Sequence, residues 1–240
     1  MPARDPYVVG GQHSRLAEGW KATVKAPVFP LANVVFFPHT LLPLHVFEPR
    51  YVTMVSAALA GDGLIAMVLA REERPAGEQL ACHPVGSVGR MVVVDKLDDG
   101  RYNIVLDGLA RVVLGEFEAV RGEYFTARLE VLGEALPDLQ DPRVAEEKAG
   151  LVMTARQYGE QVLSGQVPID FLSEALPYAA LVNRCATLLR VSVDAKQELL
   201  ALDDVGTRAE IVIRSMLDQI RSHAVIERFT DRRPGDPRSN

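Results

Sequence analysis

Few of the features that mark catalytic, secreted or membrane proteins occur in this chain. Its 240 residues hold only two cysteines, Cys82 and Cys185, too far apart in sequence to suggest a disulfide framework. Two reduced thiols fit a cytoplasmic protein. No apolar run approaches the roughly 18–20 residues that span a bilayer. The opening MPARDPYVVGGQHSRLAEGWK also lacks the apolar centre of a secretory signal. The expected location is therefore the cytoplasm, with no membrane partner.

Catalytic signatures are missing as well. None of the lysines (Lys21, Lys25, Lys96, Lys148 and Lys196) follows a glycine. That excludes the loop whose backbone amides and lysine together cradle a nucleotide's phosphates. GDGLIA (61–66) matches a relaxed dinucleotide pattern but lies between a helix and a strand, whereas that chemistry needs strand, turn and then helix. VGSVG (85–89) has Val85 where the first glycine of a nucleophile elbow belongs, and it leads into strand-like VVV. It reads as a glycine-relieved bulge around Ser87. No histidine precedes a glutamate and there is no CxxC, so the commonest zinc motifs are absent, and His39, His45, Cys82 and His83 read as loop or strand residues. The pairs Glu72–Glu73 and Asp98–Asp99 read as solvated turn charges. We expect no catalytic, cofactor-binding or metal-binding residues, and no enzyme.

Positive charge is scarce in the parts that should fold. Residues 27–135 carry nine Lys/Arg against fourteen Asp/Glu, and residues 136–229 carry ten against fourteen. Nucleic-acid binders show the opposite balance. No nucleic-acid partner is expected.

What is present begins with prolines in apolar company. The stretch from Phe29 to Tyr51 carries Pro30, Pro38, Pro43 and Pro49. Proline cannot donate to a sheet ladder and is confined to edges, bulges and strand starts, so this is extended chain that changes direction. Leu42, Leu44 and Val46 alternate with Pro43 and His45 at strand spacing, and Tyr51, Met54, Val55, Ala58 and Leu59 then recur at helix spacing until GDG (61–63). LIAMVLA (64–70) reads as a buried strand and 71–84 as a polar loop. VGRMVVVDKL (88–97), the turn Asp98–Gly100 and RYNIVLDGLARVVL form a hairpin, and YFTARLEVL (124–132) adds a strand. A mostly antiparallel barrel or sandwich follows.

After Pro137 the composition turns helical. Helices are predicted over 144–163, over 171–190 with an interruption at Pro177, from Asp194 with Gln197 three residues on, and from a Thr207/Glu210 capping box. On the last, Ile213, Met216, Leu217, Ile220 and Ala224 form one stripe. The division read here is an arm over 1–26, a β unit over 27–135, a helical unit over 136–229 and a polar tail over 230–240.

FPLANVVFFPHTLLPLHVFEPRYVTMV (29–55), HPVGSVGRMVVVDKLDDGRYNIVLDGLARVVL (83–114) and KQELLALDDVGTRAEIVIRSML (196–217) resemble three successive blocks of the Lon protease N-terminal, substrate-binding domain family. The HVFEPRY form resembles its stand-alone bacterial members, without ATPase or peptidase domains. The resemblance implies an α+β fold, a PUA-like β-barrel followed by a C-terminal helical bundle. It also implies a non-catalytic module that binds unfolded or apolar polypeptide segments or a partner protein, with a protease or chaperone in trans as a further partner class. The candidate contact residues are Phe36, Phe37, His39, Leu41 and Leu42, held at a bend by Pro38 and Pro43; the alternative is that they close the barrel. Two other readings compete: an RNA-binding PUA-like protein, and a hydrolase with an unrecognised site.

Overall fold

The computed structural model describes residues 7–8, 24–72, 80–121, 123–165, 167 and 171–230. Chain order is β1 (Tyr7–Val8), β2 (Val24–Leu31), β3 (Leu41–Val46), α1 (Pro49–Leu59), β4 (Leu64–Leu69), β5 (Val85–Lys96), β6 (Tyr102–Val120) and β7 (Tyr124–Val131), then α2 (Pro142–Gln161), α3 (Tyr178–Leu188), α4 (Val193–Ala201) and α5 (Val205–Thr230). Two compact units result, Met1–Glu134 with Arg190–Asp203, and Ala135–Leu189 with Asp204–Asn240.

The first unit is one mixed sheet in the order β1-β5-β4-β2-β7-β6-β3. Its pairings are antiparallel except β2 with β4. A further β5–β6 pairing closes a ring, and β1 and β3 are appended to it. The ring is not a clean barrel. The 19-residue β6 gives Tyr102–Asp107 to β3 and Val112–Val120 to β7 along its length. The β5–β6 hairpin turns as its sequence demands: Gly100 sits at φ 88° and donates its amide to Leu97 O at 3.0 Å. Two apolar clusters fill the sheet, one around Met54, Ile65, Met91 and Leu106, the other around Ala66, Val88, Val112 and Leu129.

The glycines at 86–89 have packing reasons. A Cβ on Gly86 would lie 2.4 Å from Met67 O, and one on Gly89 would lie 2.7 Å from the Phe36 ring. Between them, buried Ser87 donates its hydroxyl to Phe36 O at 2.5 Å. The ladder shifts register between Val88 and Gly89, which is the expected bulge.

α4 corrects the division read from sequence. The sequence reading placed 190–203 in the helical unit, whereas these residues pack with the strands. Gln197 Nε2 donates to Val85 O at 2.9 Å, so Gln197 is a docking group and Ser192 caps the helix instead, accepting from Ala195 N at 3.2 Å. Arg111, fully buried on β6, donates to Leu200 O, Leu202 O, Gly133 O and Asp203 Oδ1 at 2.7–3.0 Å. Val24–Ala26, read as arm, begin β2 and pair with β7. Most of the arm, the tail from 231 and loop residues 73–79 lie outside the described residues.

The second unit holds α2, α3 and α5. Asp141 caps α2 by accepting from Arg143 N at 2.9 Å. Pro177 does not interrupt a longer helix; it is the N-cap of α3, because a residue without an amide suits the position before the first turn. Asp204, rather than Thr207, caps α5, accepting from Thr207 N at 2.6 Å. α5 buries Val205, Ala209, Val212, Met216 and Ile220, while Ile213, Leu217 and Ala224 of the predicted stripe lie at its margin. Within this core Arg208 Nη1 donates to Asn183 Oδ1 at 2.7 Å, and Tyr158 Oη donates to Gln219 Oε1 at 2.8 Å.

Candidate functional site

Strand β3 lies at the end of the sheet order and hydrogen-bonds to β6 alone among the described strands. Pro43 therefore sits where proline is tolerated, on an edge. The segment leading into β3 is anchored from three sides. Phe36 packs against Gly89 and Gly108, a Cβ on Gly108 would lie 2.5 Å from Phe37 O, and Thr40 Oγ1 donates to Phe37 O at 2.6 Å. His39 adopts the left-handed conformation, φ 62°, and its amide donates to Gly108 O at 2.8 Å.

The five residues proposed from sequence therefore separate. Phe36 and Phe37 are 3% and 0% exposed. Both rings are core, so neither can touch a ligand. Their carbonyls are tied to Ser87 and Thr40 and leave no slack for them to turn outward. His39 is exposed, Leu42 is half-buried, and Leu41 stands 62% exposed. Phe47, absent from that list, is 61% exposed and stacks on the His45 ring with centroids 6.0 Å apart. Alternation could have found it. Leu42, Leu44 and Val46 turn inward, so Leu41, Pro43, His45 and Phe47 must turn outward.

Two of these outward residues, Pro43 and His45, line a shallow groove of about 530 Å³ on the outer face of β3, β6 and β5. Register explains its lining: Pro43 opposes Val105, which opposes Val93, and His45 opposes Asn103, which opposes Asp95. One row is apolar and the next is polar. The polar row is a connected network. His45 Nδ1 donates to Asn103 Oδ1 at 2.7 Å, Asn103 Nδ2 donates to Asp95 Oδ2 at 3.3 Å, and Arg101 donates to His45 Nε2 at 3.1 Å. Arg101 is held in turn by Asp99 at 2.6 Å, and this hydrogen bond keeps the Asp99 carboxyl below its ordinary value.

Among the described residues no group of three or more His, Cys, Asp or Glu side chains could hold a metal. Burial pushes the Cys185 thiol up to about 12, far from the thiolate needed for nucleophilic attack. His83 is pushed the other way, lowered by burial and, behind that, by Arg71. What the site can do is present apolar surface beside a row of hydrogen-bonding groups and an open sheet edge.

Comparison with known proteins agrees with this architecture. The family of the ATP-dependent protease La (LON) substrate-binding domain matches residues 25–218. Lon protease of Escherichia coli (strain K12) is 27% identical over 217 residues, covering 87% of this chain and 26% of that protein. Lon protease 2 of Syntrophobacter fumaroxidans is 28% identical over 213 residues, again covering 87% of this chain and 26% of the relative. The chain thus spans about a quarter of the length of these curated relatives. Among solved structures, the N-terminal domain of Mycobacterium avium complex Lon protease superposes with a TM-score of 0.64 at 17% identity, covering 81% of this chain and 99% of that one. A Lon N-terminal domain protein from Xanthomonas campestris gives 0.56 at 22% identity, covering 80% and 98%. With the family match extending over most of its length, the chain belongs to the Lon substrate-binding domain family.

Proposed function

We propose that this chain is a non-catalytic polypeptide-binding module that holds unfolded or extended apolar segments on the outer face of β3, β6 and β5. One observation carries the reading: Leu41, the first residue of edge strand β3, and Phe47, just past its last, stand 62% and 61% exposed, and Pro43 and His45 between them line a shallow groove. Large apolar side chains grouped in this way, with a polar rim, mark a surface meant to be covered. Membership of a substrate-binding family supports it. The Asp95 carboxylate in the groove lining disfavours RNA phosphates on this face.

The test is a titration of a fluorescent unfolded peptide at two salt concentrations. Apolar burial is not weakened by moderate salt, whereas phosphate binding is. Peptide affinity should change by less than about twofold between about 50 and about 200 mM salt. Leu41→Asp and Phe47→Asp should each weaken it about tenfold, the equivalent of about 1.4 kcal/mol of lost burial. Salt-sensitive binding of single-stranded RNA without peptide binding would replace this reading with the RNA-binding one.

A further inference from the structure

The ladder between β3 and β6 has a definite phase. Gly108 N–H donates to Thr40 O at 2.9 Å, and hydrogen-bonded pairs alternate along an antiparallel ladder. Leu42, Leu44 and Val46 therefore turn their backbone groups to β6, and Leu41, Pro43 and His45 turn theirs away from it. The outer edge of β3 thus offers the amides of Leu41 and His45 and the carbonyls of Leu41, Pro43 and His45. The side chains of the same three residues lie on the exposed outer face. No described strand pairs with this edge, whereas the part of β5 beyond β4 carries β1, with Tyr7 opposite Val94.

Pro43 decides which strand could be added there. A second copy of β3 pairing about this residue would set two prolines opposite each other, and that pair would have no amide at all. A heterologous strand keeps one bond at the same place, because its own amide can donate to Pro43 O. The edge is thus blunted against its own kind and left open to others.

We infer that the outer edge of β3 takes up an extended heterologous polypeptide as an added antiparallel strand, with an apolar residue at every second position. This rests on the polypeptide-binding reading above and specifies its mode. Directly opposed residues of an antiparallel pair point their side chains to the same face. The ligand residues facing Leu41, Pro43 and His45 therefore place their side chains beside Leu41 and Phe47. Those residues are the apolar ones, and their amides are the ones bonded to β3. The polar residues between them turn their amides to solvent.

The experiment uses the full chain and three versions of one labelled heptapeptide, alternating apolar (Phe or Val) and Thr residues with a Lys at each end. One version is unmodified, one is N-methylated at the apolar residues, and one is N-methylated at the threonines. Methylation at the apolar positions should weaken binding about tenfold, through loss of charge-neutral backbone bonds. Methylation at the threonines should change it by less than about twofold. The unmodified peptide should also slow hydrogen exchange of the Leu41 and His45 amides. Equal binding of all three peptides would overturn strand addition while leaving polypeptide binding intact. Loss confined to the threonine-methylated peptide would overturn the antiparallel mode, because a parallel strand bonds through the opposite set. Failure of even the unmodified peptide to bind would remove the reading beneath.

Discussion

Gly108 leaves no room for a side chain, and the reason lies in the segment before β3. Its added Cβ would lie 2.5 Å from Phe37 O and 3.1 Å from Pro38 Cα, both backbone atoms that cannot swing aside. Gly108→Ala should therefore cost about 1–3 kcal/mol in chemical denaturation, the usual range for overpacking. A cost below about 0.5 kcal/mol would mean that the Phe36–Pro38 backbone can shift. The same crowding explains why two of the five proposed contact residues were misplaced. A run such as Phe36–Phe37–Pro38 looks identical in sequence whether it is core or display. Only the glycines facing it, fifty or more positions away, decide, and that pairing is not written in the local pattern. The reading of 85–89 fared better because its glycines and its serine are a local signal for a bulge.

At the scale of elements, strands and helix types were legible because periodicity is local. The alternation of 41–46 and the Asp-Gly turn at 99–100 both correspond to the observed strand and hairpin. Caps were less legible. Ser192 and Asp204 cap α4 and α5, where the sequence reading preferred residues two or three positions later. Each start offers several hydroxyl or carboxyl groups, and tertiary docking, as of Gln197 on Val85, selects among them. The edge strand gives a prediction of its own. Pro43→Val restores the missing outward amide without altering the paired side of β3. It should promote self-association of the folded protein, seen as a rise in mass by light scattering at high concentration. A variant that stays at the mass of the unaltered protein under the same conditions would show that something other than Pro43 protects this edge.

At the scale of the whole molecule, the chain does not finish one unit before starting the next. Residues 190–203 return to the strands after α3, and Arg111 holds them there through Leu200 O, Leu202 O and Asp203. The composition change near Pro137 revealed two kinds of structure but not this return, because α4 is as helical in sequence as its neighbours. A chain ended at residue 134 should therefore fail to form the native sheet. It would leave the Arg111 guanidinium without three of its oxygen partners, Leu200 O, Leu202 O and Asp203 Oδ1, and the Val85 carbonyl without its donor. The check is a two-dimensional amide spectrum of the fragment beside that of the full chain; well-dispersed β resonances in the fragment would contradict the prediction.

That return has a consequence for how the protein is born. On the ribosome, every strand from β2 to β7 emerges before the piece that completes the sheet unit. The 55 residues of Ala135–Leu189 must be translated in between, which takes on the order of 3–10 s at ordinary elongation rates. Throughout that interval the nascent sheet carries a buried-type arginine with three of its oxygen partners, Leu200 O, Leu202 O and Asp203 Oδ1, still unmade. For those seconds the sheet is an unfinished structure waiting for the rest of its own chain.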